Sequence, residues 1–129
     1  MINAALDELN FNDEGLMPAI AINDLNDAVL MVAWINEEAF VQSLKTGFAH
    51  YFSRSRQRLW QKGESSGHNQ TIKSIHLDCD GDVLTWRVVQ SGGIACHTGR
   101  ATCFYRQLID GAWVDTAPVL KDPAEMYPE

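Results

Sequence analysis

One short stretch of this 129-residue chain, residues 78–106, holds most of the side chains that could carry chemistry. All of the chain's cysteines fall there: Cys79, Cys96 and Cys103. Three alternating aspartates surround the first of them: Asp78, Asp80 and Asp82. Thiolates select zinc-like ions, whereas carboxylates select magnesium-like ions. The stretch therefore offers ligands for two chemically different metals.

The three cysteines match the ligand number of a catalytic zinc site. Structural zinc sites usually have four protein ligands, whereas catalytic sites keep one position open for water. Bound zinc lowers the pKa of that water to about 7, which makes hydroxide available for hydrolysis. Two alternatives stay open at this point. The cysteines can be ordinary buried thiols, or His97 can complete a closed site.

The aspartates indicate a second, harder cation. On a straight strand their alternation puts the three carboxylates on one face and Cys79 on the other. Such close carboxylates repel one another unless a cation neutralises them, and magnesium suits them. A calcium-binding EF-hand loop begins in the same way but requires glycine and glutamate where this chain has Val83 and Val89. A solvated acidic hairpin tip is the alternative.

A local basic cluster indicates that the protein binds an anion. The net charge of −7 argues against general nucleic-acid binding. Residues 54–62 nevertheless contain four basic side chains and no acid. Hydroxyl and guanidinium groups alternate from Ser53 to Arg56, a pairing that suits phosphate oxygens. The candidate substrate-binding residues are Arg54, Arg56, Lys62, Ser65, Ser66, His68 and Arg100, although any single arginine can be an ordinary surface residue.

The most distinct local pattern predicts a helix after residue 35. Asn36 is a good N-cap, and acids follow it where the helix dipole favours them. Gly47 can end the helix, with Lys45 in its last turn. Its predicted apolar face consists of Phe40, Val41 and Leu44.

Strand patterns fill most of the remaining chain. The predicted strands are residues 19–22, 28–34, 50–53, 71–77, 83–89, 104–109 and 112–114, with turns at Asp80-Gly81 and Asp110-Gly111. Residues 54–62 read as a basic loop. Leu84, Trp86 and Val88 share one strand face. Trp60 either stacks on a purine or packs in the core, and Trp34, Trp86 and Trp113 are assigned to packing.

These elements predict a single strand-rich α+β domain with one main helix. Its core spans about residues 15–114, after an N-terminal arm or short helix (1–14) and before a tail (115–129). We expect a cytoplasmic protein, because no apolar stretch is long enough to span a membrane and the acidic N-terminus is unlike a secretory signal. A cytoplasmic setting would also keep the three thiols reduced.

Longer motifs give the chain a family resemblance. Residues 78–82 read DCDGD, residues 92–100 read GGIACHTGR, and residues 103–106 read CFYR. Upstream, residues 34–39 read WINEEA, residues 52–56 read FSRSR, and residues 59–68 read LWQKGESSGH. In this order the motifs resemble the phosphoribosyl-AMP cyclohydrolase family, over about residues 15–106. One departure is Val89, where the family pattern has glutamate, so no role for that carboxylate carries over.

The resemblance implies an α+β fold whose metal and active sites lie at a homodimer interface. Cys96 and Cys103 would bind zinc together with Cys79 of the partner subunit, one zinc per subunit, and the three aspartates would bind magnesium. The implied reaction is hydrolytic opening of the N1–C6 bond of the adenine ring of phosphoribosyl-AMP by zinc-activated water, the third step of histidine biosynthesis. His97 is the candidate general acid or base, or alternatively a hydrogen-bonding residue of its loop. The short tail predicts a monofunctional enzyme.

Two other functions compete with this interpretation. Zinc deaminases attack an aromatic carbon in a similar way, but they require a P-C-x-x-C motif that this chain lacks. A non-catalytic module, in which zinc joins a dimer and the arginines bind a phosphorylated effector, is the alternative from a different class.

Overall fold

The computed structural model describes residues 2–126. Within this range, three helices, eight strands and one 3₁₀ turn follow one another along the chain. In order they are α1 (Ile2–Asp7), β1 (Met17–Asn23), β2 (Val29–Ile35), α2 (Glu37–Thr46), β3 (His50–Ser53), β4 (Arg58–Gln61), β5 (Gln70–Leu77), β6 (Leu84–Gln90), the 3₁₀ turn (Ser91–Gly93), β7 (Arg106–Ile109), β8 (Ala112–Asp115) and α3 (Pro123–Met126).

Strands form one main sheet and two separate hairpins. The main sheet has the order β2-β1-β6-β5, and the hairpins are β3–β4 and β7–β8. Strand β1 runs antiparallel to β2 but parallel to β6, whereas β5 and β6 are antiparallel. This architecture confirms the prediction of a small, strand-rich α+β domain.

The core lies on one face of the main sheet. Strand β6 alternates between buried and partly buried residues, and its buried set includes Leu84, Trp86 and Val88. Ala19 and Ala21 of the neighbouring β1 are fully buried beside them. The predicted inward face of β6 is confirmed, because side chains at alternate positions of a strand point the same way.

Helix α2 begins and ends as its sequence predicts. The Asn36 side chain accepts a hydrogen bond from the Ala39 backbone N–H at 2.8 Å, and Gly47 ends the helix at a φ of 80°. The predicted apolar face is only partly right, because Leu44 is 37% exposed. Ser43 is buried instead: its hydroxyl donates to the Ala39 carbonyl and accepts from the His50 N–H. This polar contact joins α2 to the start of β3.

Two other predictions need correction. Residues 58–61 form a strand, β4, where a loop was expected, and Trp60 pairs with Tyr51 across the hairpin. Trp113 was assigned to packing, yet it is 62% exposed, because β7 and β8 pair with each other and with no further strand of residues 2–126. The predicted turn at Asp80-Gly81 is confirmed, since residues 78–83 lie between β5 and β6.

Both ends of the domain contain short helices. Helix α1 confirms the short-helix alternative for the N-terminal arm, and α3 lies in the predicted tail. Residue 1 and residues 127–129 of these predicted segments lie outside the described range. None of the helices in residues 2–126 is both long and apolar enough to cross a membrane.

Candidate active site

A cavity of about 540 Å³ opens beside the β3–β4 hairpin. Its walls come from β2, from the turn between β3 and β4, and from residues 60–66. Five of the predicted substrate-binding residues line it: Arg54, Arg56, Lys62, Ser65 and Ser66. The two-stranded hairpin that sequence patterns missed is therefore the element that positions the basic cluster.

Positive charge in this cavity is largely unpaired. Within residues 2–126, Arg54 and Arg56 form no ion pair with an acidic side chain, whereas Arg58 pairs with Glu64 at 2.8 Å. The Arg54 guanidinium carbon lies 4.8 Å from the centre of the Trp34 ring, a cation–π contact. Two free guanidinium groups in a concave site suit a phosphorylated ligand.

Aromatic rings give the same cavity a flat apolar wall. Trp34 and Trp60 both line it, so Trp34 does more than the packing assigned to it. Trp60 also stacks at 5.1 Å on Tyr51, which is fully buried. Both alternatives for Trp60 are thus compatible with its position, because one ring can pack inward and still face the cavity.

Lys62 connects the cavity to a pair of cysteines. We call residues 62–69 the cavity loop and residues 91–103 the thiol loop. The Lys62 ammonium lines the cavity and donates to the Ala95 carbonyl of the thiol loop at 2.5 Å. Burial lowers the pKa of Lys62, and the nearby Cys103 and Cys96 sulfurs oppose that shift. A basic group therefore sits between the cavity and the thiols.

Cys96 and Cys103 lie side by side within the thiol loop. Cys96 is buried and its sulfur accepts a hydrogen bond from the Thr98 hydroxyl at 3.1 Å. The Cys103 backbone N–H donates to the Leu30 carbonyl of β2 at 2.7 Å, which anchors the far end of the loop. Loss of solvation and the adjacent Cys96 sulfur raise the pKa of Cys103 to about 12. Two soft donors at one place fit a zinc-like ion, whose positive charge would deprotonate them.

A third ligand does not join this thiol pair within the described residues. The one group of three or more histidine, cysteine or acidic side chains that converges in residues 2–126 is Asp78, Cys79 and Asp80. Cys79 is therefore not gathered with the other two cysteines in a single chain. The exposed His97 does not join them either, so the described chain lacks the closed four-ligand site.

Residues 78–83, which we call the aspartate turn, bring hard donors together. The ligand atoms of Asp78, Cys79 and Asp80 lie within 4.8 Å of one another, and all three residues are exposed. The expectation that Cys79 and the aspartates point to opposite faces was wrong, because the segment is a turn and not a straight strand. Two carboxylates beside a thiol fit a divalent cation.

Asp82 lies outside that group. The Asp78 carboxylate accepts hydrogen bonds from the backbone N–H groups of Asp82 and Val83 at 3.0 and 3.3 Å. Desolvation acts to raise the pKa of Asp78, but the hydrogen bonds to its carboxylate together outweigh it, so the pKa is lowered. A side-chain hydrogen bond with Asp78, together with desolvation, raises the pKa of Asp82. Asp78 thus also shapes the turn.

Part of the N-terminal arm holds the aspartate turn, a role that sequence patterns did not reveal. The Asn10 side chain donates to the Asp80 carbonyl at 2.7 Å, and the Asn10 backbone N–H donates to the Gly81 carbonyl at 2.8 Å. Gly81 has a φ of 73°, and a Cβ there would lie 2.7 Å from the Glu8 carbonyl oxygen. The only sequence signal was Gly81 itself, since glycine permits both the positive φ and the close approach.

His68 and Arg100, the remaining predicted substrate-binding residues, do not line the cavity. His68 is half-buried against Gly92, and burial and two nearby lysines lower its pKa. Arg100 stacks at 4.0 Å on Tyr105 and donates to the Ala117 carbonyl at 2.9 Å. In the single chain, Arg100 therefore fastens the C-terminal segment to the thiol loop.

Comparison with known proteins covers all of these regions. A family model described as phosphoribosyl-AMP cyclohydrolase matches residues 31–105. Curated proteins with that name include one from Nitrosomonas europaea, 55% identical over 127 residues and 98% of both chains. A relative from Bordetella petrii is 56% identical over 124 residues, 93% of this chain and 92% of its own. One from Chromobacterium violaceum is 53% identical over 122 residues, 95% and 92% of the two chains.

Proposed function

Because this chain belongs to the phosphoribosyl-AMP cyclohydrolase family, it is a hydrolase, and we propose that it opens the adenine ring of phosphoribosyl-AMP. Water adds to C6, the N1–C6 bond breaks, and a proton is delivered to N1. The product is the formimino imidazole carboxamide ribotide, in the third step of histidine biosynthesis. The observation that carries the proposal is the cavity with unpaired arginines that Lys62 joins to adjacent cysteines.

Phosphate groups of the substrate would bind at the basic turn of the cavity. Arg54 and Arg56 offer free guanidinium groups there, and Ser65 and Ser66 of the cavity loop offer hydroxyls to the same cavity. Trp60 provides a flat surface for the purine, since aromatic rings stack on bases. With the phosphates bound at the basic turn, the ring would present C6 toward the thiol loop, which Lys62 joins to the cavity.

Zinc would be held by Cys96 and Cys103 and by Cys79 of the partner subunit. When bound there, zinc supplies Lewis-acid activation of a water molecule. The support is the donor chemistry: two adjacent thiols in one place, and a third cysteine outside their group. Asp78 and Asp80 would hold magnesium, with Asp82 nearby in the same turn.

Proton transfer at N1 is assigned to His97, which adjoins Cys96 and is exposed. Lys62 would hold the Ala95 carbonyl and offset thiolate charge. His68 and Arg100 would support the cavity and thiol loops. Because Arg100 does not line the cavity of its own chain, it would contact only a substrate bound to the partner subunit.

A homodimer is part of the proposal. The β7–β8 hairpin pairs with no other strand of residues 2–126, and its side chains Leu108 and Trp113 are 57% and 62% exposed. A two-stranded hairpin is only marginally stable alone in water, and large apolar exposure favours association. A second copy of the chain would cover this surface. The reduced state of three free cysteines fits a cytoplasmic enzyme.

Turnover with and without metal tests the reaction. We expect the reduced, zinc-loaded protein with magnesium to convert phosphoribosyl-AMP, measured by ultraviolet absorbance and product mass. Chelation of zinc should abolish turnover, and Cys96→Ala should lose both turnover and zinc. A zinc-loaded dimer without turnover would refute the proposed reaction.

Mixing two inactive variants tests the shared site. If Cys79 serves the partner subunit, a Cys79→Ala chain and a Cys96→Ala chain together make one intact site per mixed dimer. Random pairing in equal amounts then restores about a quarter of wild-type activity, because half of the dimers are mixed and each has one of two sites. If all three ligands came from one chain, mixing would restore nothing.

A further inference from the structure

Three buried polar side chains and one indole form a continuous hydrogen-bond chain through the core. The Trp86 indole N–H donates to the Tyr51 hydroxyl at 3.0 Å, and that hydroxyl donates to Gln70 Oε1 at 2.6 Å. Gln70 Nε2 donates to Gln90 Oε1 at 3.0 Å. The first three residues are fully buried and Gln90 is 8% exposed. This polar chain therefore connects β3, in the cavity hairpin, to β5 and β6 of the main sheet.

Only one arrangement of donors satisfies the whole polar chain. An indole N–H can only donate, so Tyr51 accepts from Trp86 and directs its own proton to Gln70. Gln70 then offers its NH₂ group to Gln90, and Gln90 has only its NH₂ group left to offer. Because a fully satisfied buried network is rigid, both amide side chains are held in a single orientation.

The last donor in the polar chain fixes the junction of the two functional loops. Gln90 Nε2 donates to the carbonyl groups of His68 and Asn69, at 2.8 and 3.3 Å, where the cavity loop ends. The thiol loop begins at the next residue, Ser91, whose N–H donates to the Asn69 carbonyl at 2.8 Å. A Cβ on Gly92 would lie 2.7 Å from the His68 ring, so the loops are in direct contact.

We propose that Tyr51, Gln70 and Gln90 are positioning residues that hold the cavity loop and the thiol loop in a fixed relation. The role rests on the proposed function, in which a ring bound in the cavity must present C6 to the metal held in the thiol loop. A displacement of about 1 Å between reacting groups can cost about 100-fold in rate. An apolar residue in place of Gln90 would fill the core, but it would remove the Gln90 donor from the His68 carbonyl and leave the Asn69 carbonyl with the Ser91 N–H alone.

Gln90→Met and Gln70→Met remove successive members of the polar chain while keeping side-chain length. We expect each to lower kcat/KM by about 10- to 100-fold, mostly through kcat, because phosphate contacts at Arg54 and Arg56 stay in place. The double variant should be little worse than either single one, since members of one network are not additive. Tyr51→Phe, which removes one hydroxyl, is the milder variant if either methionine variant fails to fold.

Val88→Ala is the matched control, because it truncates a fully buried side chain on the same strand that takes part in none of the hydrogen bonds of the polar chain. It should lower thermal stability and leave kcat/KM unchanged at a temperature where the fold is retained. Equal catalytic losses in Val88→Ala and Gln90→Met, at equal loss of stability, would overturn the positioning role.

Amide hydrogen exchange gives a readout that does not depend on the reaction. In Gln90→Met and Tyr51→Phe, exchange should speed up in residues 63–69 and 91–96 relative to the main sheet. Uniform acceleration across the sheet, as expected for Val88→Ala, would contradict the proposal. Absence of wild-type turnover would instead refute the proposed function, and the exchange pattern would still decide whether the polar chain holds the loops.

Discussion

Replacement of Lys62 by methionine should weaken zinc binding without a matching loss of fold stability. The Lys62 ammonium donates to the Ala95 carbonyl and lies near the sulfurs of Cys96 and Cys103. Burial lowers its pKa, so holding the ammonium in the metal-free protein already has a cost. In the proposed zinc-bound state the thiols would be thiolates, and the same ammonium would offset their negative charge.

The size of the effect follows from these opposed contributions. A hydrogen bond to a charged group contributes about 1.5–3 kcal/mol. In the metal-free protein, the burial cost cancels part of that gain, so we expect Lys62→Met to change the free energy of unfolding by no more than about 1 kcal/mol. In the zinc-bound protein the whole gain is lost. Zinc binding therefore weakens by the difference between the two states, about 0.5–3 kcal/mol, which is about 2- to 150-fold at about 1.4 kcal/mol per tenfold.

Competition with a chromophoric chelator measures zinc affinity, and urea unfolding of the metal-free protein measures stability. Lys73→Met is the matched control, because it removes the same charge from an exposed position on β5. Lys62→Arg should keep part of the affinity by retaining the charge. Zinc affinity of Lys62→Met within twofold of Lys73→Met would refute the reasoning.

Three further changes test the cavity, the aspartate turn and the helix. Arg54→Met should raise KM for phosphoribosyl-AMP about tenfold with a smaller change in kcat, because one charge-assisted contact is lost. Arg58→Met should have less effect, because the Arg58 side chain already pairs with Glu64. Equal kinetic effects of the two variants would contradict this role of Arg54. Asp80→Asn should raise the magnesium concentration needed for half-maximal activity. Asp110→Asn, in the turn between β7 and β8, is the control and should leave that concentration unchanged. Identical magnesium titrations of the two variants would remove the magnesium assignment. Asn36→Ala should lower the free energy of unfolding by about 1 kcal/mol in urea, and Asn36→Asp should retain most of it.

Local chemistry explains what the sequence predicted well. Asn36 and Gly47 mark the ends of α2 through capping interactions that involve only nearby residues. Asp110-Gly111 likewise marks the β7–β8 turn, where both residues have positive φ. Such signals need no knowledge of the rest of the fold, so they are readable from sequence alone.

Tertiary contacts explain what the sequence did not predict. Strand β4 is short and begins in a run of charged and polar residues, so only its pairing with β3 makes it a strand. The parallel pairing of β1 with β6 joins segments more than sixty residues apart, and no local pattern encodes it. The polar chain from Trp86 to Gln90 was missed for the same reason: each glutamine resembles an ordinary strand-end residue until its buried partner is known.

Residue spacing offered candidate ligands without saying how they group, and the separation of Cys79 from Cys96 and Cys103 came from the family resemblance alone. Spacing alone made Cys79, Cys96 and Cys103 equivalent ligands, yet the fold separates them into a thiol pair and one member of the aspartate turn. A straight-strand argument failed at residues 78–83 because hydrogen bonds to the Asp78 carboxylate fold the segment into a turn. Backbone turns decide which donor atoms converge, and the alternation of residue types along the sequence does not predict those turns.

Two features of the single chain, an incomplete thiol site and an uncovered hairpin, both favour the proposed dimer. The thiol pair lacks a third convergent ligand among residues 2–126, and the β7–β8 hairpin in that range lacks a covering surface. In the proposed dimer, a second copy would supply both a cysteine held in an exposed turn and an apolar surface, so one association step would complete the metal site and bury Trp113. Zinc binding and dimerisation should then depend on each other: dilution of the protein should release zinc, and chelation should shift the dimer toward monomer. Zinc release that is independent of protein concentration would show that the metal site is complete within one subunit.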